Sequence, residues 1–452
     1  MRRASAGYRS LLRTPGAAAF FFAASAGRVG IAMTGLGLVW LLHARTGSYG
    51  TAGLATAGFA LAEALIGPQL ARLIDRFGQT RVLPGCLLAH GVAIAAVLAC
   101  TTPAAQIAAA ICAGAVVPQL GSLSGARWAH LLRGERAGEL PAAFSLEALA
   151  NATAFLLGPV LVTSLGAAGD PVLASAIAAG LIVGGGAALA VQRRTAPLPA
   201  SERAAGTLLS PVFILVALLN LAIGLYFGTV GVSVSAFATG HGMSAAAAPI
   251  IAAASLSGLL SGWVYGLRRH RAPVRRQLVI ASAYLTGTAV LLPFAPSAIW
   301  LGAALAVTEI AVPPTLVVLN VLTERAVHPA ALTQAFTWNN SASAAGSALA
   351  AALAGRAADA WGAAAALGQA PVAGLLLLVL ALILFRRPAS DPATYPSARR
   401  AVQSPRQPPH QPGAADEGRD LRDARDREDD AGRGAVRAPA RPRTGGRAVL
   451  PA

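Results

Sequence analysis

The chain has 452 residues, 55% of them hydrophobic and only 12% charged, with a formal net charge of +17 and a mean hydropathy of +0.59. Soluble domains carry about 25% charged residues, so the composition excludes an ordinary soluble enzyme and points to lipid as the main solvent. The basic residues are all Arg and sit in short turns and a tail between apolar runs, which argues against a nucleic-acid partner. Cys86, Cys100 and Cys112 fall within apolar runs, and their number and spacing give neither a disulfide framework nor a metal site.

Taken in order, the chain opens with an arm, residues 1–16, that carries Arg2, Arg3, Arg9 and Arg13. The apolar run that follows is too long for a signal peptide and lacks a cleavage site before the next span, so it reads as a retained membrane helix. A span needs about 20 apolar residues to cross a hydrocarbon core of about 30 Å. On that measure spans are expected near 17–43, 51–74, 82–101, 104–126, 143–167 and 171–191. A polar linker, 192–210, precedes six more near 211–238, 244–267, 275–294, 298–322, 331–356 and 364–385. The expected fold is an all-α polytopic membrane protein. Twelve transmembrane helices form two pseudo-symmetric six-helix bundles, 17–191 and 211–387. The remainder, 388–452, is rich in Pro, Gly and alternating charge and reads as a disordered cytoplasmic tail.

Arginines set the orientation. The arm, the 72–81 turn, Arg127 to Arg136, Arg193 and Arg194, Arg268 to Arg276, Arg325, and Arg386 with Arg387 all fall on one side, while the alternate turns hold few. Positive charge stays cytoplasmic, so a multi-pass protein of a bacterial inner membrane with both termini inside is expected. Trp40, Trp128, Trp263, Trp300, Trp338 and Trp361 lie near span ends, where interfacial anchoring is expected. The halves also match each other: Arg28 falls on Asn220, Arg76 on Arg268, Arg133 on Arg325 and Phe144 on Phe336, each 192 positions apart. Duplicated six-helix units are common among secondary transporters, with the binding site between repeats at mid-bilayer.

The turn Ala71-Arg-Leu-Ile-Asp75-Arg76-Phe-Gly78-Gln-Thr-Arg81 resembles the signature of the major facilitator superfamily between helices 2 and 3. Its usual form is Gly-x-Leu-Ala-Asp-Arg-x-Gly followed by a basic pair. Leu73, Asp75, Arg76 and Gly78 match; Ala71 replaces the first Gly, Ile74 the Ala, and Gln79-Thr80 the basic pair, with Arg81 just beyond. The resemblance implies that Asp75 locks the two halves together in the outward-facing state. It would do so by meeting the start of helix 11, Leu332 to Phe336, and an arginine after helix 4, Arg127 or Arg133. Asp75, Arg76, Gly78, Arg81 and Arg133 are the implied gate; the alternative is that Asp75 and Arg76 are only topology-setting charges in a wet loop. The stretches Pro118 to Trp128, Ala143 to Glu147 and Leu157 to Pro159 resemble an actinobacterial branch of the superfamily. Gly158-Pro159 is similar to the helix 5 motif of its proton-driven drug exporters, although Val162-Thr163 and Ala154 depart from it.

Ionisable groups at mid-bilayer cost several kcal/mol unless paired or hydrated, so each is a site candidate. Arg28 lies about 16 Å from the inner face and Glu63 about 12 Å, close enough in depth for an ion pair. Glu147, at the start of helix 5, is expected to pair with Arg127 or Arg133. Glu309 sits near mid-span in helix 10, before Pro313-Pro314. The family's central cavity is lined by helices 1, 4, 7 and 10, and Arg28, Gln119, Asn220 and Glu309 fall one on each. With Glu63 they form the candidate cavity set, and Glu309 is the expected coupling carboxylate, with Glu63 or Glu147 next, since a buried Glu can carry a proton.

No catalytic constellation stands out. The seven His residues are dispersed, and a phosphate-binding Gly-x-x-x-x-Gly-Lys-Ser/Thr loop is lacking. The expected function is secondary active transport by alternating access, specifically proton-coupled export of a small organic compound. Expected partners are that substrate and the bilayer, with no metal or cofactor beyond the proton gradient and a monomeric state. Uptake of a metabolite by the same fold and a non-transporting membrane sensor or scaffold remain as alternatives.

Overall fold

A computed structural model describes residues 7–167, 170–199, 208–243, 246–268 and 270–387. The 388–452 segment, expected to be a tail, lies outside the described residues. We number the membrane helices in chain order. The first six are α1 (Ala17–Thr46), α2 (Tyr49–Phe77), α3 (Gln79–Ala99), α4 (Pro103–Val116 and Leu120–Leu131), α5 (Leu140–Ala167) and α6 (Pro171–Val191). The second six are α7 (Pro211–Gly240), α8 (Ala247–Leu267), α9 (Val274–Ala289), α10 (Ala298–Glu309 and Val312–Ala326), α11 (Leu332–Trp361) and α12 (Gln369–Arg386). A five-residue helix, Tyr8–Leu12, precedes them.

Among the described residues, 11 helices are long and apolar enough to cross a membrane, counting the two pieces of α4 and of α10 as one each and taking α9 on through Phe294. The exception is α11. Its 30 residues would span about 45 Å, but Thr333, Gln334, Thr337, Asn339 and Asn340 dilute its apolar character. Most of these polar residues are buried between helices, so α11 needs less lipid-facing hydrophobicity than its neighbours.

Two helices are interrupted. α4 breaks over Val117–Gln119, between Val116 and Leu120, and α10 breaks over Ile310–Ala311, between Glu309 and Val312. Residues 118 and 119 of the first break map onto 310 and 311 of the second by the 192-residue shift, so the interruption belongs to the repeat. Both contain or precede proline: Pro118 sits in the first, and Pro313 is among the opening residues after the second. Proline removes a helical donor and clashes with the preceding turn.

Within each half the helices approach closely through small residues, as membrane helices do when lipid offers no apolar driving force between them. A side chain at Gly30 would run into the backbone of Ala178, and one at Gly185 into Ala23 and Gly27, which sets the α1–α6 contact. In the second half, Gly224 and Gly228 lie against the backbones of Ser343 and Ser347, and Gly346 against Leu221, bringing α7 onto α11.

The halves meet at one end. One apolar cluster joins Ile74, Leu123, Ala126, Leu140 and Phe144 of the first half to Val317, Val321, Leu332, Ala335 and Phe336 of the second. The other clusters each draw on one half alone. The shared cluster lies where α2, α4, α8 and α10 end and where α3, α5, α9 and α11 begin, which is the arginine-rich end.

Candidate functional site

The turn between α2 and α3 is a single residue. Gly78 closes one helix and opens the next with φ 93° and ψ 143°, a backbone geometry that L side chains rarely adopt. A Cβ there would also press on Pro199. This joint puts Asp75 in the last turn of α2, facing the other half. The residue before α11 is Ala331, which has no side chain able to cap it. Asp75 supplies the missing acceptor: its Oδ2 takes the Gln334 backbone N–H at 2.9 Å. A carboxylate at a helix N-terminus satisfies an orphan donor and meets the positive end of the dipole. Beside it Phe144 of α5 and Phe336 of α11 meet edge to face, with centroids 5.8 Å apart.

The remaining gate candidates do different things. Arg76 lies over the Phe77 ring at 5.2 Å, and Arg81 is exposed in the first turn of α3. Arg133 attracts Glu324 of the other half. Neither Arg127 nor Arg133 is the partner expected for Asp75. Arg127 is fully buried and donates to Gln79 Oε1 (2.8 Å), Leu189 O (2.9 Å), Gln192 O (2.9 Å) and Thr195 Oγ1 (2.7 Å). It therefore caps the carbonyl end of α6, where a cation is favoured. Gln79, which stands in for a basic residue of the signature, is what receives it.

Arg28 corrects another expectation. It does not reach Glu63. Its guanidinium forms a salt bridge with Glu147 and also donates to the Glu147 carbonyl at 3.2 Å, with both side chains about 7% exposed. Glu147 Oε1 accepts from Ser124 Oγ (2.6 Å) and Trp128 Nε1 (2.7 Å). Glu147 thus pairs with neither Arg127 nor Arg133, and Trp128, wholly buried, is not an interfacial anchor. The cluster ties α1, α4 and α5 inside one half, where satisfying both charges is what makes their burial tolerable.

Glu63 instead accepts from the Gln119 side-chain amide at 2.7 Å. That amide belongs to the α4 break, and it can turn towards α2 because the backbone there is not helical. Close by, a Cβ on Gly67 would lie 3.5 Å from Thr337 of α11. Asn340 of α11 donates to Ser122 of α4 at 3.3 Å, so polar groups from both halves converge here. In the second half Glu309, the last residue before the α10 break, accepts from the hydroxyl of fully buried Tyr226 at 3.0 Å. Gly258 of α8 packs over its other oxygen. Asn220 spends its amide on Val216 O of its own helix at 2.8 Å.

Hydrogen bonds thus do not gather Arg28, Gln119, Asn220 and Glu309 into one constellation. They form separate units: an ion pair, two carboxylates held by neutral donors, and a self-satisfied amide. Tyr226 was missed. A tyrosine inside an apolar span signals a hydroxyl that must find a partner.

The sequence profile of the Major Facilitator Superfamily matches residues 19–329. The chain belongs to that superfamily. Its fold is shared by solved structures of superfamily and related transporters at low sequence identity. A bacterial homologue of the iron transporter ferroportin, crystallised in an outward-facing state, aligns at TM-score 0.69 with 13% identity, covering 82% of this chain and 99% of that one. The human organic anion transporter MFSD10 (TETRAN) aligns at 0.63 with 18% identity, over 81% and 98%. The E. coli fucose:proton symporter FucP aligns at 0.62 with 12% identity, over 82% and 98%. Comparison with curated protein sequences gives no match. As a superfamily member the chain is a multi-pass membrane protein with a transporter fold.

Proposed function

We propose that the protein is a secondary transporter that exports a small organic compound in exchange for protons by alternating access. In this reading the arginine-rich end is the cytoplasmic face of a bacterial plasma membrane. The conformation described is then the one closed to the cytoplasm, with Asp75, Phe144 and Phe336 in the closed gate.

The observation that carries the proton-coupled reading is Glu309. It is a membrane-embedded carboxylate at the end of a broken helix, and its hydrogen-bond partner is a neutral phenol. An intramembrane carboxylate without a paired cation can take up and release a proton as its surroundings open to either side. Glu63, held by neutral Gln119, has the same character. The two buried arginines of the spans, Arg28 and Arg127, are consumed by Glu147 and by carbonyl and side-chain oxygens. That charge balance supports a substrate that is neutral or cationic.

The test is Glu309→Gln in proteoliposomes with an imposed pH gradient. Flux should lose its dependence on the gradient while exchange of substrate down its own gradient persists. Unchanged gradient dependence would sink the coupling role, and net accumulation with the proton gradient would make the protein an uptake carrier.

A further inference from the structure

The Asp75 turn has a counterpart in the second half, at the end of α8. The 192-residue shift places Leu267 where the acid stands, so this junction has no carboxylate to cap the facing helix. The junction is nonetheless tight: a methyl group on Gly266 would collide with Ser145 of α5 and with the hydroxyl of Tyr8. Tyr8 belongs to neither bundle. Its hydroxyl lies 2.8 Å from Trp263 O and 3.2 Å from Gly262 O, sharing one proton between two carbonyls of α8. Burial pushes this phenol up to about 12, so it stays a donor at any physiological pH.

The rest of the segment is fixed to the first half. Leu11 is fully buried in the cluster that joins the halves. Arg136, itself paired with Glu139 at 2.7 Å, donates to Thr14 Oγ1 at 3.2 Å. Gly16, with φ 82°, turns the chain into α1 beside Thr195, the residue that Arg127 holds.

We propose that residues 7–16 are an intramolecular strap that holds the arginine-rich end closed, with Tyr8 supplying at the α5–α8 junction the cross-half bond that Asp75 supplies at the α2–α11 junction. The strap is anchored on one half and bonded to the other, so it must release α8 before this end can open. The proposal rests on the alternating-access reading, and its test separates the two.

Spin labels on Gly138→Cys and Arg271→Cys, in full-length protein with Cys86→Ala, Cys100→Ala and Cys112→Ala, report the separation of the halves at this end by pulsed electron resonance. Tyr8→Phe keeps the ring and removes the donor. It should raise the open-to-closed ratio about fivefold, and deletion of residues 2–14 should raise it further. Ser10→Ala, which loses only a bond to Gly7 O within the segment, should leave the ratio alone. If Asp75→Asn opens this end while Tyr8→Phe and the deletion do not, the strap is overturned and the gate stands. If none of the three changes the distances, the two-state reading fails along with it.

Discussion

The two halves share a six-helix plan, including an interruption at equivalent positions, yet they are held together by different chemistry. The first half is braced by charge: Arg28 with Glu147 across α1 and α5, and Arg127 on the carbonyl end of α6. Both halves also pack through glycines, but in the second half the backbone-to-backbone approach of α7 and α11 at Gly224, Gly228 and Gly346 stands without a buried ion pair among the described residues. There Glu309 is left with a neutral partner. A buried ion pair fixes geometry because neither charge can be left alone, whereas a carboxylate facing a phenol can change protonation without that penalty. The contrast is between a first half braced by a buried ion pair and a second half without one; carboxylates with neutral partners, Glu63 and Glu309, occur one in each half.

That contrast can be broken experimentally, and the largest effect should come from the ion pair. Glu147→Ala strands Arg28 and should cost about 3–5 kcal/mol, whereas the double change Arg28→Met with Glu147→Leu should recover most of it. Denaturant unfolding in detergent, followed by tryptophan fluorescence, reads both. A single variant as stable as the double would remove the bracing role. Next, Gly228→Val should cost about 1–3 kcal/mol by forcing α7 from α11. Gly231→Val, where nothing lies within 4 Å of the added carbon, should unfold like the parent.

A smaller effect is expected at the gate. Asp75→Asn weakens the cap on α11 by about 1 kcal/mol, roughly fivefold in the closed-state population. Labelling of a cysteine introduced at Ala126 should speed up accordingly, and an unchanged rate would reduce the turn to a topology signal. Tyr226→Phe should cost no more, since it removes one hydrogen bond worth about 1 kcal/mol and keeps the ring. If its thermal stability falls as far as that of Glu147→Ala, the distinction between the halves is wrong.

Much of the architecture was legible in the sequence, because helix length and arginine placement answer directly to bilayer thickness. The meeting of Asp75 with the start of α11 was also readable from the signature turn. The partners of Arg28 and Glu147 were not. Counting residues into a span gives depth but not the direction a side chain faces around the helix, and Glu63 at similar depth lies on another side. Arg127 was misread because an arginine near a turn looks like a surface charge until the carbonyl end of α6 arrives beside it. Gln79 looked like a lost charge, whereas its amide is the acceptor that orients Arg127. The α4 break had its signal in Pro118, as the α10 break had in Pro313 and Pro314.

The Arg28–Glu147 pair also bears on how the protein is made. α1 leaves the ribosome 119 residues before its counter-charge. At about 5–20 residues per second the arginine waits on the order of ten seconds without its partner. An arginine at a helix centre disfavours insertion by about 2.5–3.5 kcal/mol, a cost that α1 carries without its counter-charge until α5 arrives. Integration of the first helix is then completed by the fifth. A nascent chain arrested before Glu147 should leave α1 at the insertion machinery instead of released into the bilayer.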